Sequence, residues 1–440
     1  MPPTVESRVA GAEGDPGVLP GCPTVSFRGH IAGLWFYANS PRDAARYAGL
    51  ARMSAGRVTC IAVCHCALHR EWGPLARPFP FHLTTVIDDV YEGVPTRRKV
   101  HKLRQALDDV DPDVLCVIGY SAPEMRFAAR WGKQRGKLVV MMGDTYREER
   151  PRRWWRETVK RAVVRRDYDA AFVAGPRSAE YAISLGVPPE CVAVGIDVID
   201  NAHVACLAGS ARNREVSLRE QLGLPARFFL YVGRLSPEKN LAFLLGAYHS
   251  YRERAGSDAW DLVLVGSGPE EHGLRGATKR AGTPGLHWPG FKQMDELAAY
   301  YALADCFVLP SLREGWSLVV NEAMACGLPV LASYTCGCVA EGLVQPGRNG
   351  LIFSPYDADA LAADMALLSS GSLDLGGMGR ASLEIIAGFT PETWAHDLLS
   401  LINTAHQFKA EMSEGRGVGM HAPAPACGGV RARPTPGAMS

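Results

Sequence analysis

A chain of 440 residues is too long for one ordinary domain and fits two cores of about 180 residues each. Its composition, 47% hydrophobic and 21% charged, is that of a globular protein, and 47 Lys plus Arg nearly balance 46 Asp plus Glu, leaving a net charge of +1. That balance argues against a protein built chiefly to hold nucleic acid, and no apolar run reaches the length of about 18 residues that a membrane span requires.

Residues 1–21 carry Glu6, Glu13 and Asp15 and lack the roughly 7–15-residue apolar core of a secretory signal, so they are expected to be disordered and the protein cytoplasmic. Phe27-Arg-Gly-His-Ile-Ala-Gly33 is then expected to follow a first strand. It reads either as a simple turn or as a loop whose Gly33 approaches a ligand phosphate. Apolar runs at 58–64, 81–87, 113–119, 137–142 and 169–174 alternate with helix-like stretches at 95–110, 122–135 and 149–166. Runs without polar alternation imply a parallel sheet buried on both faces, and this first domain spans residues 22–200.

The 12 cysteines show no disulfide-framework rhythm, and several sit inside these strand-like runs, as expected of reduced, buried thiols. Cys64 and Cys66 around His65, with His69 nearby, and Cys336 with Cys338 tempt a metal reading. Each pair has one intervening residue where zinc sites favour two to four, so no metal site is expected.

After residue 200 the pattern restarts, with runs at 228–233, 261–266, 306–310, 328–332 and 350–353, giving a second α/β domain over 201–390. A helix from Asn240 to Arg254 places Leu241, Leu244, Leu245, Tyr248 and Tyr251 on one core face. A last helix at 391–409, with Trp394, Leu398 and Ile402 at four-residue steps, is expected to reach across the domain junction. Residues 410–440, rich in Gly, Pro and Ala, are expected to be disordered.

In doubly wound sheets ligands bind beyond the carboxyl ends of the strands, so the residues after each run carry the chemistry. After the first run of this domain come Gly233 and Arg234, then Pro237, Glu238 and Lys239 opening a helix. A guanidinium and an ammonium converging there suit a diphosphate. After the second come Gly266-Ser267-Gly268, glycines that suit close backbone approach as well as any tight turn. Phe291 and Lys292 follow a further short strand and suit the lining of a base pocket. The richest stretch is Pro310-Ser-Leu-Arg-Glu-Gly-Trp-Ser-Leu-Val-Val-Asn-Glu322. Glu314 lies in the loop, Glu322 lies inside the next helix, and the N–H groups of Gly315, Trp316, Ser317 and Leu318 between them form a helix N-terminus suited to a phosphate or a sugar hydroxyl. A lone pair of glutamates would otherwise be a solvated loop acid and a helix-dipole partner.

From about residue 170 to 368 the chain closely resembles glycosyltransferase family 4 (group 1), retaining enzymes of the GT-B fold that use nucleotide sugars. The matching marks are Gly-Arg-Leu with Glu-Lys at 233–239, Val-Gly-Ser-Gly-Pro at 265–269, the two glutamates eight positions apart at 314 and 322 with Asn-Glu-Ala-Met-Ala-Cys-Gly-Leu-Pro-Val around the second, and Gly-Arg-Asn-Gly at 347–350. The resemblance implies two Rossmann-like domains facing across a cleft. It also implies that Arg234 and Lys239 neutralise the donor diphosphate, that Glu314 holds hydroxyls of the transferred sugar, and that Glu322 holds the ribose. It implies catalysis with retention by front-face departure, a nucleotide sugar as co-substrate, no cofactor and no required metal. A sugar nucleotide 2-epimerase of the same fold and a silent nucleotide-sugar-binding partner subunit are the competing readings. Ser317 departs from the family, where glycine is common, which suggests a narrowed phosphate loop.

Many relatives place a histidine beyond a central strand of the first domain to contact the sugar. Here the corresponding strands end in Tyr120-Ser121 and Gly143-Asp144-Thr145. Tyr120 and Asp144 therefore stand as candidates on the acceptor side, with a loop-capping Asp as the alternative. Residues 147–166 hold nine Arg or Lys around Trp154 and Trp155. That stretch reads either as a helix with a core face of Trp155, Val159 and Ala162 or as a peripheral membrane contact.

Overall fold

The structure, a computed structural model, describes residues 27–68, 72, 73, 75, 78–147 and 153–414. The segment expected to be disordered at 1–21 and residues 415–440 of the one expected at 410–440 lie outside them, as do His69 and residues 148–152 of the basic stretch. In chain order the first domain comprises β1 (Ile31–Tyr37), α1 (Pro41–Met53), β2 (Val58–Cys66), β3 (His82–Val90), α2 (Thr96–Val110), β4 (Val114–Ile118), α3 (Pro123–Gln134), β5 (Leu138–Gly143), α4 (Trp154–Asp167), β6 (Ala170–Val173), α5 (Pro176–Ser184) and β7 (Val192–Val194). Its seven strands pair in parallel in the order β3-β2-β1-β4-β5-β6-β7.

The second domain opens with α6 (Asn201–Arg212) and α7 (Glu215–Leu222) and continues with β8 (Phe228–Val232), α8 (Leu241–Ala255), β9 (Asp261–Val265), α9 (Glu271–Ala281), β10 (Leu286–Gly290), α10 (Met294–Leu303), β11 (Cys306–Leu309) and α11 (Leu318–Ala325). It closes with β12 (Val330–Ser333), α12 (Gly337–Ala340), β13 (Gly350–Phe353), α13 (Ala358–Ser369), α14 (Leu375–Ile386) and α15 (Pro391–Ser413). Its six parallel strands run β10-β9-β8-β11-β12-β13.

The apolar runs become strands because a parallel sheet flanked by helices hides both faces. In β4, Val114, Leu115, Cys116 and Val117 are all fully buried. Helix starts follow from local chemistry. Ser40 accepts from the Asp43 N–H ahead of Pro41, Asp200 accepts from the His203 N–H at 2.9 Å, and Thr390 caps α15 ahead of Pro391.

Helix α15 leaves the second domain and returns to the first. Trp394 packs on Tyr47 and Phe172, ring centroids 5.3 and 5.8 Å apart, and with Leu398, Leu399 and Ile402 is fully or almost fully buried. At about 1.5–3 kcal/mol for each such large apolar side chain, this strap is a main bond between the domains. The helix does not end near 409 as the composition suggested. Gln407 donates to Glu411 at 3.0 Å and Lys409 holds the Gly136 carbonyl at 3.1 Å, carrying it on to Ser413.

Two local expectations need correction. Gly33 is not in a loop after the first strand but inside β1, paired with Cys60 and Cys116, and a β-carbon there would strike the Tyr47 ring at 2.1 Å. Its small size serves helix-on-sheet packing. The expected core face of the basic helix is instead its outer face, since Trp155 is 47% and Val159 56% exposed. The inner face is Val164 and Asp167, beside a polar set in which Tyr181 donates to Glu157 at 2.8 Å and Lys160 reaches Glu157 at 2.7 Å.

Candidate active site

In each sheet the strand order reverses between two neighbours, β8 and β11 in the second domain and β1 and β4 in the first. The loops beyond such a pair turn to opposite faces and leave a crevice. Both crevices of this molecule hold charged side chains.

In the second domain, the turn after β8 delivers Lys239 and the loop after β11 delivers Glu314. The Lys239 ammonium donates to the Glu314 carboxylate, both half-buried, and Ser311 Oγ donates to the same oxygen at 3.2 Å. Arg234 is exposed at the start of the same turn. Glycine is required at 266 because a β-carbon there would lie 1.9 Å from the Gly233 carbonyl oxygen. Gly268 presses on Leu235 in the same way, and the Leu235 N–H donates to the Ser267 carbonyl at 2.9 Å. These glycines thus lock two neighbouring strand-end loops together, which sets where Arg234 and Lys239 stand.

The loop into α11 has an unusual backbone. Ser317 adopts φ 97° and ψ 80°, a left-handed conformation that costs a residue with a β-carbon roughly 1–2 kcal/mol. Its hydroxyl is buried without a hydrogen-bond partner. Trp316 does not face the crevice with its ring. It is buried, and its indole N–H donates to Asn321 Oδ1 at 2.9 Å, so only its backbone is available to a ligand. Leu318 begins α11, and one turn on, Glu322 accepts from the Tyr301 hydroxyl at 2.7 Å. Burial pushes the Glu322 carboxyl up to about 7, against the opposing effect of that hydrogen bond. Phe291 is half-buried after β10, and Lys292 turns to Glu296 at 3.4 Å.

Across the cleft, Asp144 leaves the end of β5 and faces the loop before α11, for a β-carbon on Gly315 would lie 3.1 Å from Asp144 Oδ2. Tyr120 does not join it. Its hydroxyl is drawn to Tyr181 at 3.4 Å, part of the polar set under α4.

A group that the sequence reading missed completes this side. A cavity of about 80 Å³ is lined by Arg42, Arg46, Asp144 and Asp197 among others. Arg46 Nη2 donates to Asp197 Oδ1 at 2.8 Å, and Asp43 lies 3.6 Å from Arg46 and 3.5 Å from Arg42. Burial and the neighbouring Arg42 bring the Arg46 guanidinium down to about 10. Burial also works against the Arg42 charge, but Asp43, Asp197 and Asp144 outweigh it and hold that guanidinium above its usual range. Arg46 Nε and Asp197 Oδ2 are buried without a hydrogen bond, and Arg42 Nε, also without one, keeps only its ion pair with Asp43, so the polar groups of this cluster are incompletely satisfied. The available signal was positional. Once β1 is placed at 31–37, Arg42 and Asp43 are the first charged residues past its end. The same cluster ties the domains together, because Asn321 Nδ2 donates to the Asp197 carbonyl at 3.2 Å while its Oδ1 holds Trp316.

Among the described residues no group of three or more His, Cys, Asp or Glu side chains is placed to hold a metal ion, and the ten described cysteines are free thiols. No helix among them is long and apolar enough to cross a membrane.

Two Rossmann-like parallel sheets of seven and six strands, with charged crevices meeting at a common cleft, make this a GT-B fold. An Anabaena protein crystallised in complex with UDP superposes with a TM-score of 0.61 at 16% identity, over 88% of this chain and 100% of that one. Residues 216–376 match the family of glycosyl transferases group 1. A putative colanic acid biosynthesis glycosyltransferase of Salmonella typhimurium is 30% identical over 233 residues, 50% of this chain and 53% of that protein. A D-inositol 3-phosphate glycosyltransferase of an Arthrobacter species is 32% identical over 177 residues, 39% and 41% of the two chains. The chain thus matches about half or less of the length of these curated relatives.

Proposed function

We propose that the protein is a retaining glycosyltransferase that moves a sugar from a nucleoside diphosphate sugar to an acceptor hydroxyl. The observation that carries this reading is the Lys239–Glu314 pair at the second-domain crevice, just before the α11 N-terminus and next to Gly315, which faces Asp144. In the ligand-free protein the two charges satisfy each other. A donor would supply a phosphate for Lys239 and sugar hydroxyls for Glu314, so its binding replaces the pair without leaving either charge buried alone. Arg234, at the start of the same turn, joins Lys239 in stabilising the negative charge that grows on the diphosphate as the glycosidic bond breaks. The N–H groups at the start of α11 add to that stabilisation. Glu322 accepts hydrogen bonds from the ribose.

With Glu314 given to the sugar hydroxyls and Asp144 to the acceptor, neither carboxylate is assigned as a nucleophile, and the acceptor hydroxyl enters on the face the diphosphate leaves. Its proton passes to the departing phosphate, and Asp144 orients the hydroxyl. The relatives named above are called glycosyltransferases and the Anabaena neighbour holds UDP, which supports a sugar nucleotide as the donor. With two cations and a helix end serving the phosphates, no metal is needed, and turnover is expected to persist in EDTA.

The test is incubation with UDP-, GDP- and ADP-sugars followed by mass spectrometry. Slow release of free sugar and nucleoside diphosphate from one donor, lost in Glu314→Gln, is the expected result. Interconversion of the donor without its cleavage would overturn the proposal in favour of an epimerase, and donor binding with no turnover would overturn it in favour of a silent subunit.

A further inference from the structure

Helix α4 presents its apolar residues to solvent. Trp154 is 81%, Val159 56% and Trp155 47% exposed, although a soluble surface seldom groups two indoles and a valine on one helix face. Nor are they there for want of a place inside, since the inner side of the helix is already filled by Val164 and the Glu157, Lys160 and Tyr181 set. Between Arg153 and Asp167 the chain has six cations and two carboxylates. Both carboxylates are engaged, Glu157 by Lys160 at 2.7 Å and Asp167 by Arg166 at 2.6 Å. At 100° per residue, Arg161 falls on one flank of the exposed apolar strip and Arg156 on the other, with Arg165 inside it between Trp154 and Trp155. The Arg156 guanidinium also lies 5.1 Å over the Trp155 ring.

We infer that this face is a docking surface for an anionic lipid bilayer. Indole rings favour the boundary between headgroups and acyl chains, where an apolar body and a polar N–H are both accommodated. Arginines flanking such rings meet lipid phosphates, and attraction to an anionic leaflet is local and salt-dependent. With a net charge of +1 for the whole chain, that attraction must come from such a patch. A second copy of the chain is the poorer occupant, because a two-fold contact would set this arginine-flanked face against itself. Helix α4 also follows β5, the strand whose end carries Asp144. Where the proposed transferase reading holds, a lipid surface on α4 would present a lipid-linked acceptor from the Asp144 side of the cleft.

The full chain is floated with phosphatidylcholine vesicles made with or without phosphatidylglycerol, at low and high salt. Binding is expected only with phosphatidylglycerol and at low salt. It should fall at least about tenfold in the double variant Trp154→Ser/Trp155→Ser and in Arg156→Glu/Arg165→Glu. Cleavage of a soluble nucleotide sugar and the thermal melt should both stay as in the parent. That readout separates a failure of this inference from a failure of the transferase reading. Absence of binding to phosphatidylglycerol vesicles, binding undiminished in both variants, or a dimer in light scattering that the tryptophan substitutions abolish would each overturn the inference.

Discussion

The two crevices differ in how their residues are gathered. In the second domain, Glu314, Gly315, Ser317 and Glu322 come from one loop and the helix after it, and Arg234 and Lys239 are brought from the turn after β8. In the first domain, the cavity is assembled from the start of α1, the end of β5 and the segment after β7, with Arg46 and Asp197 bonded across 151 positions. A site made by one strand-loop-helix unit leaves a contiguous motif. A site made by folding distant strand ends together leaves only isolated charged residues. The difference predicts that donor chemistry depends on a few tightly coupled side chains, while acceptor chemistry is spread over more.

The sharpest way to break that comparison is a double-mutant cycle on the ion pair. Lys239→Ala and Glu314→Ala should each lower turnover about 10²–10³-fold, the magnitude of losing one electrostatic contact to the transition state. Each also leaves its partner's charge half-buried and unpaired, so both single variants should melt below the parent. Because the pair is partly solvated, the coupling in stability should be no more than about 1 kcal/mol. The double variant should regain much of the melt and none of the turnover. A double variant that loses activity as the product of the two single losses would show that the residues act separately.

Asp144→Asn tests the other crevice. It keeps the shape beside Gly315 and removes the charge, so turnover should fall about 10–100-fold, as for a positioned polar partner of a reacting group. Donor affinity, measured by calorimetric titration, should change less than about twofold if Asp144 serves the acceptor, as proposed. A large loss of donor affinity instead would place Asp144 on the sugar nucleotide and merge the two crevices into one binding unit.

How much of this was legible follows the same division. The strands β2 to β6, β8, β9 and β11 to β13 stand close to the apolar runs, because a parallel strand buried on both faces must be apolar throughout. β1 was misplaced because Gly29 and Gly33 looked like loop glycines, when Gly33 is small to admit Tyr47. Helix α4 was inverted because helical spacing of Trp155, Val159 and Ala162 shows only that they share a face, not that the face is inward. The periodicity carries no sign. Arg42 and Arg46 were passed over because their meaning depends on Asp197, which no local pattern connects to them.

A pH profile sharpens the donor side further. The Glu322 carboxyl is held up to about 7 by burial, so the folded state favours its protonated form. That contribution to stability is complete below the unfolded value near 4.3 and is lost as pH rises through about 7. Donor binding should run the opposite way. An ionised carboxylate accepts from both ribose hydroxyls, so affinity should rise by about tenfold between pH 6 and pH 8 while the unliganded melt declines slightly. In Glu322→Gln both slopes should flatten. A flat profile in the parent protein would mean that the ribose is held elsewhere.

The smallest expected effect is at Ser317. Its backbone lies in a left-handed region that glycine enters without penalty, and its hydroxyl is buried without a partner, which adds a desolvation cost. Ser317→Gly removes both costs while restoring some chain entropy to the unfolded state, so a net gain of about 1 kcal/mol is expected. In a two-domain chain, that gain corresponds to a rise in melting temperature of about 2–4 °C. If stability alone mattered, the serine would have no reason to occupy this position. On the proposed reading, this strained residue with an unsatisfied hydroxyl at a helix N-terminus would donate one hydrogen bond to a bound phosphate. Loss of one such neutral donor should weaken donor affinity by about threefold to tenfold. Ser317→Gly should therefore melt higher and bind donor less tightly, a trade-off that neither a merely tolerated substitution nor a purely structural role would produce.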